Sequence, residues 1–325
     1  MKLLYLLPLF LALFLMAACT SGGDGDGLSD TVLQKGTKGL TIDFMSPEKK
    51  YETYEGSPVE IAVRIHNQGY QDITRGIVLP SFEQDVLTFQ GWSDSYGGQE
   101  LVMPFRLQGK SLSNADGDFQ ISTISFLPRE IDDSKKLVDS RISVTACYPY
   151  RTVFSRPFCI DTDPLNMRIA EKSCKSSDLE SSGQGAPVAI VSVKHRILPS
   201  GKGDSVGLEF TITAQNKAEG IISTPDSYES VCNGREFDPL KLNVISLDRV
   251  RLSGYRYEKG LLSDFDCFPN PLRETRAGFI TTCKLKEESS IPRTRLSFET
   301  PLIIELSYGY KTTESVTLRI INREE

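Results

Sequence analysis

Val59-Glu60-Ile61-Ala62-Val63-Arg64-Ile65 sets an apolar residue at every second position. Side chains of a β-strand point alternately to its two faces, so this spacing belongs to a strand with one face buried and one in water. Val206-Gly207-Leu208-Glu209-Phe210-Thr211-Ile212 and Val316-Thr317-Leu318-Arg319-Ile320 repeat the pattern. Asn67-Gln68-Gly69 and Asn233-Gly234 carry turn chemistry. No run of a dozen residues holds a capped helical stripe. Short strands separated by regular turns predict an all-β chain of the β-sandwich class.

The chain has 325 residues, with 37 Lys or Arg against 43 Asp or Glu and a formal charge of −6. Hydrophobic residues make up 39% and charged residues 25%. These proportions exclude a polytopic membrane protein, a collagen-like chain and a wholly disordered one. The acidic balance argues against a nucleic-acid partner, which calls for a basic face. The length suits two domains, each with its own core.

An internal repeat supports that division. Phe119 to Ile160 lies on Phe279 to Ile320 at an offset of 160, which sets Tyr148-Pro149-Tyr150-Arg151-Thr152 on Tyr308-Gly309-Tyr310-Lys311-Thr312. Leu87 to Trp92 resembles Val250 to Tyr255, and Val59 to Asn67 resembles Val206 to Ala214. The offset grows between the last two blocks, so the second copy carries an insertion there, around Cys232. The run 176–185, rich in Ser, Asp, Glu and Gly, is the linker; the sandwiches are expected over 37–175 and 186–325.

Lys2 precedes the uncharged run Leu3 to Ala18, short for a bilayer span but suited to a secretory signal. Leu15-Met16-Ala17-Ala18-Cys19 resembles the lipobox of prokaryotic lipoproteins, in which the cysteine receives a diacylglyceryl group and the preceding peptide is removed. Met16 stands where that motif usually has Leu. Residues 1–18 then form a lipoprotein signal peptide, Cys19 the lipidation site and 19–36 a flexible tether, since Thr20 to Gly27 contains nothing apolar to bury. The expected address is the cell membrane, lipid-anchored and facing outward.

Val63-Arg64-Ile65-His66-Asn67-Gln68-Gly69 resembles the strand and turn of CARDB-type immunoglobulin-like modules. Ala146 to Thr152, Phe158 to Asp161, Gln184 to Ala189 and Pro301 to Tyr310 are similar to archaeal surface lipoproteins with tandem modules of this kind. The likeness spans nearly the whole mature chain and implies an architecture, not an activity. In the second half, Ala214-Gln215-Asn216-Lys217 stands where Asn-x-Gly is expected.

Beyond Cys19 there are six cysteines: Cys147, Cys159, Cys174, Cys232, Cys267 and Cys283. An even number in an exported chain reads as disulfides, and no Cys-x-x-Cys pair points to zinc or a redox site. With a hairpin about Val153, Cys147 and Cys159 face each other, which gives the pairing 147–159, 174–232 and 267–283. The competing arrangement joins Cys159 to Cys174 and leaves one thiol free.

Reactive clusters are scarce. His66 and His195 each stand alone, and neither a His-Glu-x-x-His nor a Gly-x-Ser-x-Gly motif occurs. A Ser-His-Asp set stays open, because its members can lie far apart in sequence. Asn114-Ala115-Asp116-Gly117-Asp118 has alternating oxygen ligands but not the Gly and Glu of a calcium loop. The expectation is therefore a non-enzyme without cofactor or metal. Its tandem modules serve as spacer or interaction domains, with a protein or an envelope polysaccharide as partner. The alternative is a ligand-binding, carbohydrate-recognising lipoprotein using aromatic side chains, for which Trp92, Tyr96 and Tyr255 are the weak candidates.

Overall fold

The protein is described by a computed structural model covering residues 33–46, 50–93, 100–132, 134–169, 171–200, 203–234, 238–253, 264–294 and 296–323. Cys19, the signal peptide and most of the tether lie outside the described residues.

The first half contains β1 (Leu40–Phe44), β2 (Lys50–Tyr54), β3 (Val59–Asn67), β4 (Ile73–Ser81), β5 (Leu87–Trp92), β6 (Met103–Leu107), β7 (Phe119–Pro128) and β8 (Leu137–Asp161). The second half opens with β9 (Leu179–Glu180), β10 (Val188–Pro199), β11 (Ser205–Asn216), β12 (Ile221–Ser223) and the short helix α1 (Tyr228–Asn233). It continues with β13 (Val244–Leu252), β14 (Phe265–Phe268), β15 (Leu272–Thr275), β16 (Gly278–Leu285), β17 (Ile291–Pro292) and β18 (Ser297–Ile321). The fold is all-β and of sandwich type.

Two strands organise it. β8 and β18 pair antiparallel along all 25 residues of each, from Leu137↔Ile321 to Asp161↔Ser297, with Pro149 opposite Gly309 at the midpoint. Pro157 stands opposite Pro301, a pair that exchanges no N–H hydrogen bond. Antiparallel ladders alternate bonded and non-bonded pairs, so Pro149, an even number of residues away, falls in the same permissive phase. Three prolines thus fit a long central ladder without breaking it.

One face of this ladder is buried almost throughout: Ile142, Val144, Ala146, Tyr148, Tyr150, Thr152, Phe154, Phe158 and Ile160 on β8, and the even-numbered apolar residues from Leu302 to Ile320 on β18. Each long strand serves both halves. The start of β8 pairs with β4, and the end of β18 pairs in parallel with β2. Their side chains share a core with Ile61, Val63, Ile65, Ile124 and Phe126 of the four-stranded sheet β1-β3-β7-β5. Beyond the midpoint, the start of β18 pairs with β13, and Phe158 of β8 packs edge-on against Phe210 of β11 at 5.1 Å. The buried residues of both halves form one continuous cluster.

The midpoint carries four tyrosines, with Tyr148↔Tyr310 and Tyr150↔Tyr308 as neighbouring rungs and ring centroids 5.6 to 6.3 Å apart. Their hydroxyls bond in matched pairs. Leu40 N–H donates to Tyr148 (3.0 Å) and Val188 N–H to Tyr308 (3.3 Å), at the first residues of β1 and β10. Gln71 N–H donates to Tyr150 (3.2 Å) and Gly220 N–H to Tyr310 (2.8 Å). Asn67 Nδ2 donates to the Gln71 carbonyl and Asn216 Nδ2 to the Gly220 carbonyl, both at 2.8 Å. A Cβ on Gly69 would collide with the Tyr150 hydroxyl, so the turn after β3 needs glycine there.

These bonds correct the alignment of the halves. Asn67 corresponds to Asn216, two residues beyond the Ala214 expected from sequence, which leaves the buried face of the strand unchanged. Phe119 and Phe279 are not equivalent: the first is 54% exposed and the second fully buried. Strand side chains alternate, so an alignment wrong by one residue swaps the faces. Nor does β5 match β13. β5 pairs with β7, whereas Ser246 of β13 meets Ser307 of β18 just as Ile77 of β4 meets Cys147 of β8.

The predicted disulfides are corrected too. The bridges are Cys147–Cys232, Cys159–Cys174 and Cys267–Cys283. No hairpin turns at Val153. Cys147 and Cys159 sit twelve residues apart on one straight strand, roughly 40 Å, far beyond disulfide reach. Of the expected pairs only 267–283 forms; 159–174 comes from the competing arrangement, but no thiol of the six is left free. Cys147–Cys232 ties α1, which lies in the insertion, to the outer face of the ladder beside Tyr228, Ile77 and Leu79. Chain-entropy reasoning gives a bridge with a sequence separation of 85 about 4–5 kcal/mol, and the shorter two about 3 kcal/mol each.

Burial is the largest cause holding the four phenols above their usual value near 10, with Tyr310 pushed up to about 12. Below pH 10 the phenols are neutral in folded and unfolded chains alike. Above it only the unfolded chain ionises them freely, so stability declines as pH rises from about 10 through the folded values. Alkaline titration is expected to show these tyrosinates only as near-native circular dichroism is lost. Full titration near pH 10 with the fold intact would contradict the buried cluster.

Candidate interaction sites

Trp92 is buried at 5% exposure, pairs with Ile124 and donates its indole N–H to the Leu101 carbonyl at 3.1 Å. It is a packing residue and no platform for a sugar; Leu87 and Trp92 are an odd number of residues apart, and the bulge between Phe89 and Gly91 is what turns both inward. Tyr96 and Tyr255 lie outside the described residues. His66, the penultimate residue of β3, has Nε2 2.8 Å from the Asp116 carbonyl. In the loop weighed for calcium, the Asp118 carboxylate accepts from its own neighbour's N–H, that of Phe119, at 3.0 Å.

A cleft of about 590 Å³ opens on the outer face of the ladder, lined by Arg151 of β8, Glu305 of β18, Ser246 to Arg249 of β13, and Asn270 and Pro271. Odd-numbered residues of the long strands face this side. Glu305, 12% exposed, accepts from Arg249 at 2.9 Å and lies 3.8 Å from Arg151. A bulge after Leu247 turns Asp248 toward β18, where the Ser307 hydroxyl donates to it at 2.9 Å. Burial is the main cause raising the Asp248 carboxyl above its usual range. Asn270 fixes the rim by bonding both the N–H and the carbonyl of Leu247 at 3.0 Å. Two cations and two carboxylates balance, leaving an array of alternating donors and acceptors suited to a neutral, hydroxyl-rich ligand. Sequence reading missed this cleft because its members come from three strands far apart in the chain.

The open Ser-His-Asp question has an answer in geometry. Ser176 Oγ is 2.7 Å from His195 Nε2, and His195 Nδ1 is 3.0 Å from Asp178 Oδ1, which also accepts the His195 backbone N–H at 3.0 Å. The connectivity is that of a catalytic triad. The Ser176 hydroxyl, however, also reaches the Cys159 carbonyl at 2.8 Å, and Phe158 packs edge-on against the imidazole at 5.1 Å. The network binds the segment entering β9 to β8 and β10, beside the Cys159–Cys174 bridge. We read it as an anchor.

No family model matches the chain, and no curated protein matches it. Among solved structures it is similar to a type I cohesin–dockerin complex from Clostridium thermocellum, at 10% identity and a TM-score of 0.23, covering 35% of this chain and 85% of that one. It is also similar to a serine-rich repeat adhesion glycoprotein from Streptococcus agalactiae, at 12% identity and a TM-score of 0.16, covering 91% of this chain and 100% of that one. Both scores are too low for either likeness to bear on the fold or activity of this chain.

An anchoring role for Ser176 has a direct check. A fluorophosphonate probe is expected to leave the protein unlabelled, and Ser176→Ala to lower unfolding free energy by about 1–2 kcal/mol in denaturant titration. A stoichiometric adduct on Ser176 would make it a nucleophile instead.

Proposed function

We propose that this chain is a non-enzymatic, lipid-anchored protein of the outward-facing cell membrane, whose paired immunoglobulin-like halves act as a rigid spacer and interaction module. The observation that carries the reading is the shared ladder. Two strands of 25 residues, each roughly 80 Å long, run through both halves and bind them into one stiff body. Three disulfides agree with an oxidising, extracytoplasmic address. The lipobox-like Leu15 to Cys19 supplies the anchor in this reading, and 37–175 and 186–325 are its two sequence copies, each lending one end of its long strand to the other. The matched tyrosine and asparagine bonds support descent of the halves from one CARDB-like unit.

A second reading is favoured by the cleft at Arg151, Asp248, Arg249, Asn270 and Glu305, whose balanced polar lining fits an envelope polysaccharide.

Diacylglyceryl modification provides two chains, enough for stable anchoring where one is marginal. Cys19→Ser is expected to move the protein from the detergent phase to the aqueous phase in partitioning; unchanged partitioning rejects the lipid anchor. For the cleft, Arg151→Ala with Asp248→Ala is expected to abolish calorimetric binding of envelope polysaccharide fragments. Equal heats from wild type and variant rule the cleft out.

A further inference from the structure

Between the end of β8 and Cys174 the chain displays three aliphatic side chains to water: Leu165 at 79% exposure, Met167 at 79% and Ile169 at 107%. The segment that carries them is tightly braced. The buried Asp163 carboxylate accepts from the Met167 N–H at 3.0 Å and the Arg168 N–H at 2.8 Å. Lys172 Nζ bonds Asp161 at 2.6 Å and the Asp163 carbonyl at 2.7 Å. The Arg168 guanidinium donates to the Arg293 carbonyl at 2.5 Å. Ser173 N–H meets Ser297 Oγ at 2.8 Å, and Cys159–Cys174 closes the base. A loop free to collapse would tuck such side chains away. This one is held with them outward.

We propose that the turn from Asp163 to Ile169 is a bilayer-insertion tip, with Leu165, Met167 and Ile169 entering the acyl region of the membrane that tethers the chain. The proposal rests on the membrane-anchored reading above. Leu, Met and Ile carry no strong donor or acceptor, and lipid chains ask for none. Asp161 and Asp163 are turned inward to hold the loop; of the exposed charges beside the tip, Arg168 faces Asp204 at 3.8 Å and Lys175 is offset in sign by Glu171, so the rim carries no net charge to oppose a bilayer. Reach is sufficient. Gly36 bonds Gly185 beside Tyr150, near mid-ladder, and from there to Asp161 is roughly 35 Å. The stretch from Cys19 to Leu33 extends up to about 45 Å.

The test uses the full chain with Cys19→Ser and an N-terminal histidine tag, held on vesicles of phosphatidylcholine, phosphatidylglycerol and nickel-chelating lipid, so that attachment is independent of lipidation. Peroxide oxidation of Met167 is followed by peptide mass spectrometry against Met45, which is 50% exposed and serves as internal standard. In solution Met167 is expected to oxidise at least as fast as Met45. On vesicles it is expected to slow severalfold while Met45 is unchanged, and Leu165→Glu with Ile169→Glu is expected to remove that protection at an unchanged melting temperature. Equal oxidation on and off vesicles overturns the proposal, as does protection that survives in the double variant. Protection in solution that grows with protein concentration overturns it too, because a second copy then covers the loop. Flotation of the untagged wild type against Cys19→Ser reads the anchor separately.

Discussion

The hydrogen-bonded register between β8 and β18 is the constraint on which everything else is hung. Each strand gives one end to one half of the molecule and the other end to its counterpart, so neither half owns a complete sheet without the chain of the other. The buried face of the ladder is the common wall of both cores. Its outer face receives α1 and the Cys147–Cys232 bridge on one stretch and the polar cleft on another. Slipping β18 by one residue against β8 would turn Tyr308 and Tyr310 to the wrong side and orphan the Val188 and Gly220 N–H groups together.

That cluster shows how a polar core can specify a fold. Four phenols are costly to bury unless each hydroxyl has a partner. Here each receives a backbone N–H from the start of β1, the turn after β3, or their counterparts in the second half. The bonds fix where the first strand of each half begins and how the Asn67 and Asn216 turns sit over the ladder. Gly309, where a Cβ would strike Ser223 and Thr224, lets β12 and the start of α1 approach the same midpoint from outside.

Period-two alternation made the strand class legible in Val59 to Ile65 and Val316 to Ile320, and the Tyr-x-Tyr repeat set Tyr148 and Tyr150 correctly on Tyr308 and Tyr310. What misled was length. Ordinary strands run 5–6 residues or so, and a stretch containing Pro149 and Pro157 invites division into a hairpin; the phase that tolerates those prolines exists only once a partner strand is placed. The disulfide error follows from that one division. The apolar tip at Leu165, Met167 and Ile169 alternates with Asn166 and Arg168 as a strand would, yet it pairs with no strand and all five residues are exposed, so its pattern pointed to the wrong structure; the cleft and the Ser176–His195–Asp178 anchor are assembled from residues whose proximity only the tertiary fold creates.

The shared ladder also dictates how the molecule must be made. Its rungs join residues well over a hundred positions apart, a topology that closes large loops before any contact rewards them and therefore folds slowly. Until β18 arrives, β8 presents an open edge of exceptional length, an invitation to pair with the same strand of a neighbouring molecule. An exported chain of this design depends on a period of guarded folding, in which newly emerged molecules are kept apart until each has closed its own central seam.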